Sequence, residues 1–186
     1  TEEGANVVLG DVASADAQAM QQYFGALPVP TVVALDVTSP DSWTAALAAT
    51  VAQHGQLDVL INNAGVVMRG SHAFDEIPLD DWKRVFSINV DGAFLGLQAA
   101  IRVMKGNAQG GNIVNLGSVA SQVGSKDAGA YGASKAAVTN MTKQAALSAA
   151  RFGYKVRVNA VHPGYVWTPL IEAKLIAQFG SLEAAQ

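Results

Sequence analysis

Five short apolar runs constrain this chain more than any other feature: "ANVVLGDV" (5–12), "TVVALDV" (31–37), "LDVLINNAG" (57–65), "GNIVNLGS" (111–118) and "YKVRVNAVHPG" (154–164). Four of the five are nearly continuous in Val, Ile and Leu instead of alternating with polar residues. Strands buried on both faces look like that, as in a parallel sheet covered by helices. Between the runs lie segments with helical period, at roughly 14–24, 40–54, 80–105 and 130–151. The second opens with Ser39 as its cap and Pro40 at the first helical position. Strand alternating with helix reads as a doubly wound α/β fold in three layers, α/β/α. A length of 186 residues suits one domain with a substantial core, and no repeat or linker divides it, so 1–186 is read as a single domain.

Composition removes several function classes. The formal charge of −3 with no basic run argues against nucleic acid as a partner. The absence of cysteine excludes disulfides and thiolate metal sites. His54, His72 and His162 have no metal-ligand spacing, so no metal is expected, and each is read as an ordinary packed or surface histidine. No apolar run approaches ~18 residues, so none is read as a membrane span. The opening "TEEGANVVLG" has no signal pattern, and a cytoplasmic setting is expected.

In doubly wound sheets the ligand sits beyond the carboxyl ends of the strands. Chemistry-bearing residues follow the apolar runs at that end: Asp11, Asp36, the "NNAG" of 62–65, Ser118, and Pro163-Gly164. The fourth helical segment carries "YGASK", which puts Tyr131 and Lys135 one turn apart on one helix face among very small neighbours. A free phenol has a pKa of about 10, too high for proton transfer at neutral pH. A positive charge about 4 Å away is worth up to ~4 kcal/mol at an effective dielectric near 20, or as much as ~3 pKa units. Lysine thereby makes tyrosine a usable acid or base. Ser118 ends a buried strand 13 residues earlier, where its hydroxyl is able to donate to a carbonyl that Tyr131 protonates. Asn89, in "SINVDG", sits in a helix interior where asparagine has poor propensity. A buried amide holding a water or a backbone carbonyl would account for it.

With "NNAG" (62–65), "INVDGAF" (88–94), "IVNLGS" (113–118), "YGASK" (131–135) and "VRVNAVHPGYVWTP" (156–169) in this order, the chain resembles the short-chain dehydrogenase/reductases over most of its length. The resemblance implies a Rossmann-like sheet and an Asn-Ser-Tyr-Lys tetrad on Asn89, Ser118, Tyr131 and Lys135. In it Tyr131 is the general acid/base and Ser118 holds the substrate oxygen. Lys135 binds the nicotinamide ribose and lowers the tyrosine pKa, and Asn89 positions a water in the proton relay. It also implies that Asp36 and Val37 flank the adenine. Asn63, Ala64 and Gly65 line the cofactor, with Pro163 and Gly164 beside it, and Val166 and Thr168 meet the nicotinamide amide. Asp11, ending the family's second strand, suits the two ribose hydroxyls of NAD and would repel the 2′-phosphate of NADP. The following "VASAD" offers no Arg or Lys to such a phosphate, so NAD is expected over NADP. Trp43 and Trp82 are read as packing residues, whereas Trp167 falls where the family's substrate lid begins.

Two family features are not found: the glycine-rich turn with the first strand, and the last strand with its tail. The chain is therefore expected to be an incomplete part of a longer enzyme, with open central edges where the first strand is missing. The expected activity is hydride transfer between NAD(H) and a small secondary alcohol or ketone. A 3-oxoacyl-carrier-protein reductase and a hydroxysteroid dehydrogenase are the enzymatic alternatives, and a catalytically dead nucleotide-binding scaffold is the non-enzymatic one. By resemblance, the helices near 80–105 and 130–151 pair subunits into a homotetramer.

Overall fold

The computed structural model describes residues 4–12, 30–70, 72–125, 128–164, 166–167, 172, 176, 180 and 181. Thr168 and the helix expected at 14–24 lie outside the described residues.

Strands β1 (Val8–Asp11) and β2 (Thr31–Ala34) pair in parallel, with Val8 opposite Thr31 and Asp11 opposite Ala34. A second parallel ladder runs in the order β3 (Val59–Asn62), β4 (Gly111–Leu116), β5 (Val156–Val161). β1 and β3 are not paired with each other, and each has one edge with no strand against it among the described residues.

Helix α1 (Pro40–His54) begins as its sequence signals require. Ser39 Oγ accepts from the Ser42 N–H at 3.2 Å, and Pro40 needs no donor of its own. Gly55, at φ 85°, ends the helix in a conformation that side-chain-bearing residues rarely adopt. The long helix expected at 80–105 proves to be three pieces in line: α2 (Leu79–Phe86), a π-helical turn (Ser87–Asp91) and α3 (Gly92–Met104). The single α-helix is corrected because a side-chain demand at Asn89 inserts the wider turn, a device common at functional sites. Helix α4 (Gly129–Arg151) carries the Tyr/Lys pair.

Helices α1, α3 and α4 cover one face of the sheet. Their Trp43, Leu97, Met104 and Ala149 share one core with Ile113 of β4 and Val158 of β5. Burying each large side chain of this kind contributes about 1.5–3 kcal/mol. The helix α3 backbone approaches closely enough that a Cβ on Gly96 would collide with Asn62 Oδ1 and lie 2.8 Å from the Trp43 ring. The opposite face of β3 is less covered among the described residues. Val59 and Ile61 are 51% and 60% exposed, whereas their alternating neighbour Asn62 is buried. Successive strand residues point to opposite faces, and α1, α3 and α4 pack on the face that Asn62 shares. Among the described residues, no helix is long and apolar enough to cross a membrane.

Candidate active site at the carboxyl ends of the strands

Within each parallel ladder, the residues after the strands gather at one end. The structure places Asp11 at the end of β1, Asn63-Ala64-Gly65 after β3, Ser118 two residues beyond β4 and Pro163-Gly164 two beyond β5. Asn63, Ala64 and Gly65 form an exposed ledge. A Cβ added at Gly65 would lie 3.4 Å from both Asn89 Oδ1 and Lys135 Nζ, so glycine leaves room for another body directly over these two side chains.

Lys135 is only 5% exposed. Its ammonium donates to the Leu116 carbonyl at 2.6 Å and stands 5.7 Å from the centroid of the Tyr131 ring. Burial lowers its pKa from the usual lysine value, since desolvation disfavours the charged form. Tyr131 is half-buried, and its hydroxyl has no hydrogen-bond partner among the described residues. Ser118 is buried; its Oγ accepts the Ala120 N–H at 3.1 Å, which leaves the hydroxyl hydrogen to be donated elsewhere. The turn after Ser118 packs on α4, where a Cβ on Gly132 would sit 3.2 Å from the Ala120 carbonyl.

Asn89 is 1% exposed, and its amide is committed to protein groups. Oδ1 accepts the Val66 N–H at 2.8 Å, while Nδ2 donates to the Val66 carbonyl at 3.0 Å and to Ser134 Oγ at 2.9 Å. Ser134 Oγ donates in turn to the Tyr131 carbonyl at 2.7 Å. The amide thus clamps the loop after β3 to the helix that bears Tyr131. Of the two reasons anticipated for an asparagine here, holding backbone is the one its side chain displays.

Other expected contacts are less closely gathered. Asp36 is exposed, and its Oδ1 accepts from both the N–H and the hydroxyl of Thr38, at 2.9 and 2.7 Å. The hydroxyl bond, then the N–H bond, hold its carboxyl below the ordinary aspartate pKa. Val37 is half-buried against Gly92, and its carbonyl accepts from the Trp43 indole at 3.0 Å. Val166 and Trp167 are 55% and 63% exposed beyond β5.

Three supports were not anticipated from the sequence. A buried polar ladder runs behind the site: Asn62 Nδ2 donates to Asn115 Oδ1 at 2.8 Å, and Asn115 Nδ2 to Thr142 Oγ1 at 2.8 Å. Met68 Sδ accepts the Ala130 N–H at 3.3 Å, at the first turn of α4. Asp81 accepts the Arg69 N–H at 2.7 Å and pairs with Arg84 at 2.8 Å, while Arg84 donates to the Val67 carbonyl. Burial pushes the Asp81 carboxyl up, but the Arg69 and Arg84 contacts together bring it below its ordinary pKa. All three fasten the 66–69 loop or β4 to α4 or α2. The doubled asparagines of "NNAG" and the isolated Met in "VVMRG" were the available signals.

The sheet and its end-on cluster define a Rossmann-like α/β domain. The solved structure of ElxO with NADP bound matches it with a TM-score of 0.87 at 26% identity, covering 98% of this chain and 72% of that one. The family model described as enoyl-(acyl carrier protein) reductase matches residues 1–186. The trans-4-hydroxycyclohexanecarboxylate dehydrogenase of Sinomonas cyclohexanicum is 42% identical over 186 residues, covering 96% of this chain and 69% of that protein. The 3-beta-hydroxysteroid dehydrogenase of Comamonas testosteroni is 38% identical over 173 residues, covering 93% of this chain and 66% of that protein. The chain spans about two thirds of the length of these curated relatives. It belongs to the short-chain dehydrogenase/reductase family, oxidoreductases that use NAD(P).

Proposed function

We propose that the protein transfers hydride between NAD(H) and a secondary alcohol or its ketone, with Tyr131 as general acid/base. The observation that carries this reading is the buried Lys135 ammonium, fixed by the Leu116 carbonyl and held 5.7 Å from the Tyr131 ring centroid. Burying a lysine without a carboxylate partner is unfavourable, and charge compensation at the phenolic oxygen gives that placement a use. The Ser118 hydroxyl hydrogen, unspent on protein, donates to the substrate oxygen while Tyr131 moves the proton. Asn89 keeps the loop after β3 and the Tyr131 helix in register.

The residues present fit a dinucleotide. Gly65 opens space over Lys135, the Asn63–Gly65 ledge is exposed, and the Asp11 carboxylate stands at the end of β1 to take ribose hydroxyls. The nicotinamide supplies the hydride chemistry when bound. Asp11, with no basic residue in "VASAD", favours NAD, although ElxO was solved with NADP. Val166, Trp167 and Thr168 are assigned to the nicotinamide and substrate side, and Asp36 and Val37 to the adenine side.

A carrier-bound acyl substrate is the second reading, favoured by the description of the matching family; the negative net charge opposes it, because acidic carriers dock on basic surfaces. A homotetramer in a cytoplasmic setting completes the proposal. The test is Tyr131→Phe, assayed on secondary alcohols with NAD and on acyl-carrier substrates. Turnover should fall by about a hundredfold or more, the scale of general acid/base catalysis, with NAD affinity retained. Unchanged turnover would reject the tyrosine assignment.

A further inference from the structure

His162 has no place in the tetrad, yet its imidazole reaches the serine that the proposed chemistry uses. Nδ1 lies 3.1 Å from Ser121 Oγ and 3.3 Å from the Ser118 carbonyl. Ser121 Oγ lies 2.6 Å from that same carbonyl. The carbonyl only accepts, so the single hydroxyl hydrogen of Ser121 is spent on it. What Ser121 then presents to the imidazole is a lone pair, and both neighbours of Nδ1 are acceptors. Nδ1 must carry the hydrogen. The ring lies against Gly117, where an added Cβ would come within 2.6 Å of Nδ1 and 2.7 Å of Cε1. Beside it the Val119 N–H donates to the Pro163 carbonyl at 3.1 Å.

We infer that His162 is a positioning residue: as the Nδ1–H tautomer it ties the Ser118–Ser121 turn of β4 to the end of β5. The tie sets the orientation of the Ser118 hydroxyl relative to the Pro163-Gly164 segment, and so of substrate oxygen relative to nicotinamide. This inference rests on the proposed dehydrogenase reading for its catalytic consequence, but the hydrogen bond itself does not.

The bond is read in the protein without any assay, from the 15N shifts of the His162 ring. A protonated Nδ1 with a bare Nε2 supports the tie; a protonated Nε2 with a bare Nδ1 overturns it. In the cofactor-loaded enzyme, His162→Leu should lower kcat by about tenfold or more, within the range known for small misplacements of reacting groups, while KM for NAD moves less than about threefold. His162→Asn should recover most of that loss, because an Asn amide places an N–H where Nδ1 stood. Gly117→Ala should reproduce the leucine variant by displacing an intact ring. Full kcat in His162→Leu, or equal impairment in the leucine and asparagine variants, would overturn the positioning role. Should the wild type oxidise no secondary alcohol, the dehydrogenase reading fails, and the ring shifts still decide whether the tie exists.

Discussion

Among the described residues, the two ladders are buried to different degrees. β4 and β5 bury Ile113, Val156 and Val158, and the Asn62–Asn115–Thr142 chain links β3 through β4 to α4. β1 and β2 pair over four residues each, and of those eight none is fully buried; Leu35, just past β2, is this region's sole contribution to the buried cluster among the described residues. Among the described residues the Tyr131/Lys135 half is held by buried protein contacts, whereas the half bearing Asp11 exposes its strand ends. Placing a buried ammonium next to a phenol requires a rigid surround in advance. A ribose-binding carboxylate needs only to be within reach.

Four measurements test this contrast. Hydrogen exchange should show the largest contrast: amides of β4 and β5 should be protected by at least about a hundredfold more than those of β1 and β2, because thinly packed elements open locally. Equal protection would remove the contrast. Met104→Ala, at a fully buried site packed against Gly111, should cost about 2–5 kcal/mol in urea unfolding. The half-buried Val33→Ala should cost no more than about 1 kcal/mol. Asn115→Ala strips partners from Asn62 and Thr142 and should cost about 1–3 kcal/mol; a neutral result would mean the ladder is not rigidifying the site. The smallest effect concerns Lys135. Its pKa is lowered in the folded protein, so between that value and the unfolded value near 10.5 the unfolded chain binds more protons and stability rises with pH. Lys135→Met should lack this rise, which the lowered pKa places below pH 10.5. An identical pH slope in both proteins would show that the ammonium is not desolvated.

The same contrast governs what could be read in advance. The five strands were legible because near-continuous Val/Ile/Leu runs leave few alternatives, and α1 because Ser39-Pro40 marks its start. The runs extend one to three residues past the ladders at their carboxyl ends, as 57–65 against Val59–Asn62 shows, because they take in the turn residues, such as Asn63-Ala64-Gly65, that follow the last pairing. Asn89 was legible as an anomaly, but its partner was not: Val66 lies 23 residues away, and only the folded chain brings a loop to a π-turn. His162 looked ordinary for the same reason, because Ser121 is 41 residues distant. Gly65 was expected to line the cofactor from its motif alone; the structure adds what glycine there avoids, a methyl against Lys135 and Asn89.

The most direct test of hydride transfer by the Tyr131/Lys135 site is the fate of isotope from a secondary alcohol deuterated at its carbinol carbon, incubated with the protein and NAD. One deuterium is expected in each NADH formed, with loss of that product in Tyr131→Phe. NADH free of deuterium, or deuterated NADH formed undiminished by the phenylalanine variant, would contradict hydride transfer by this site.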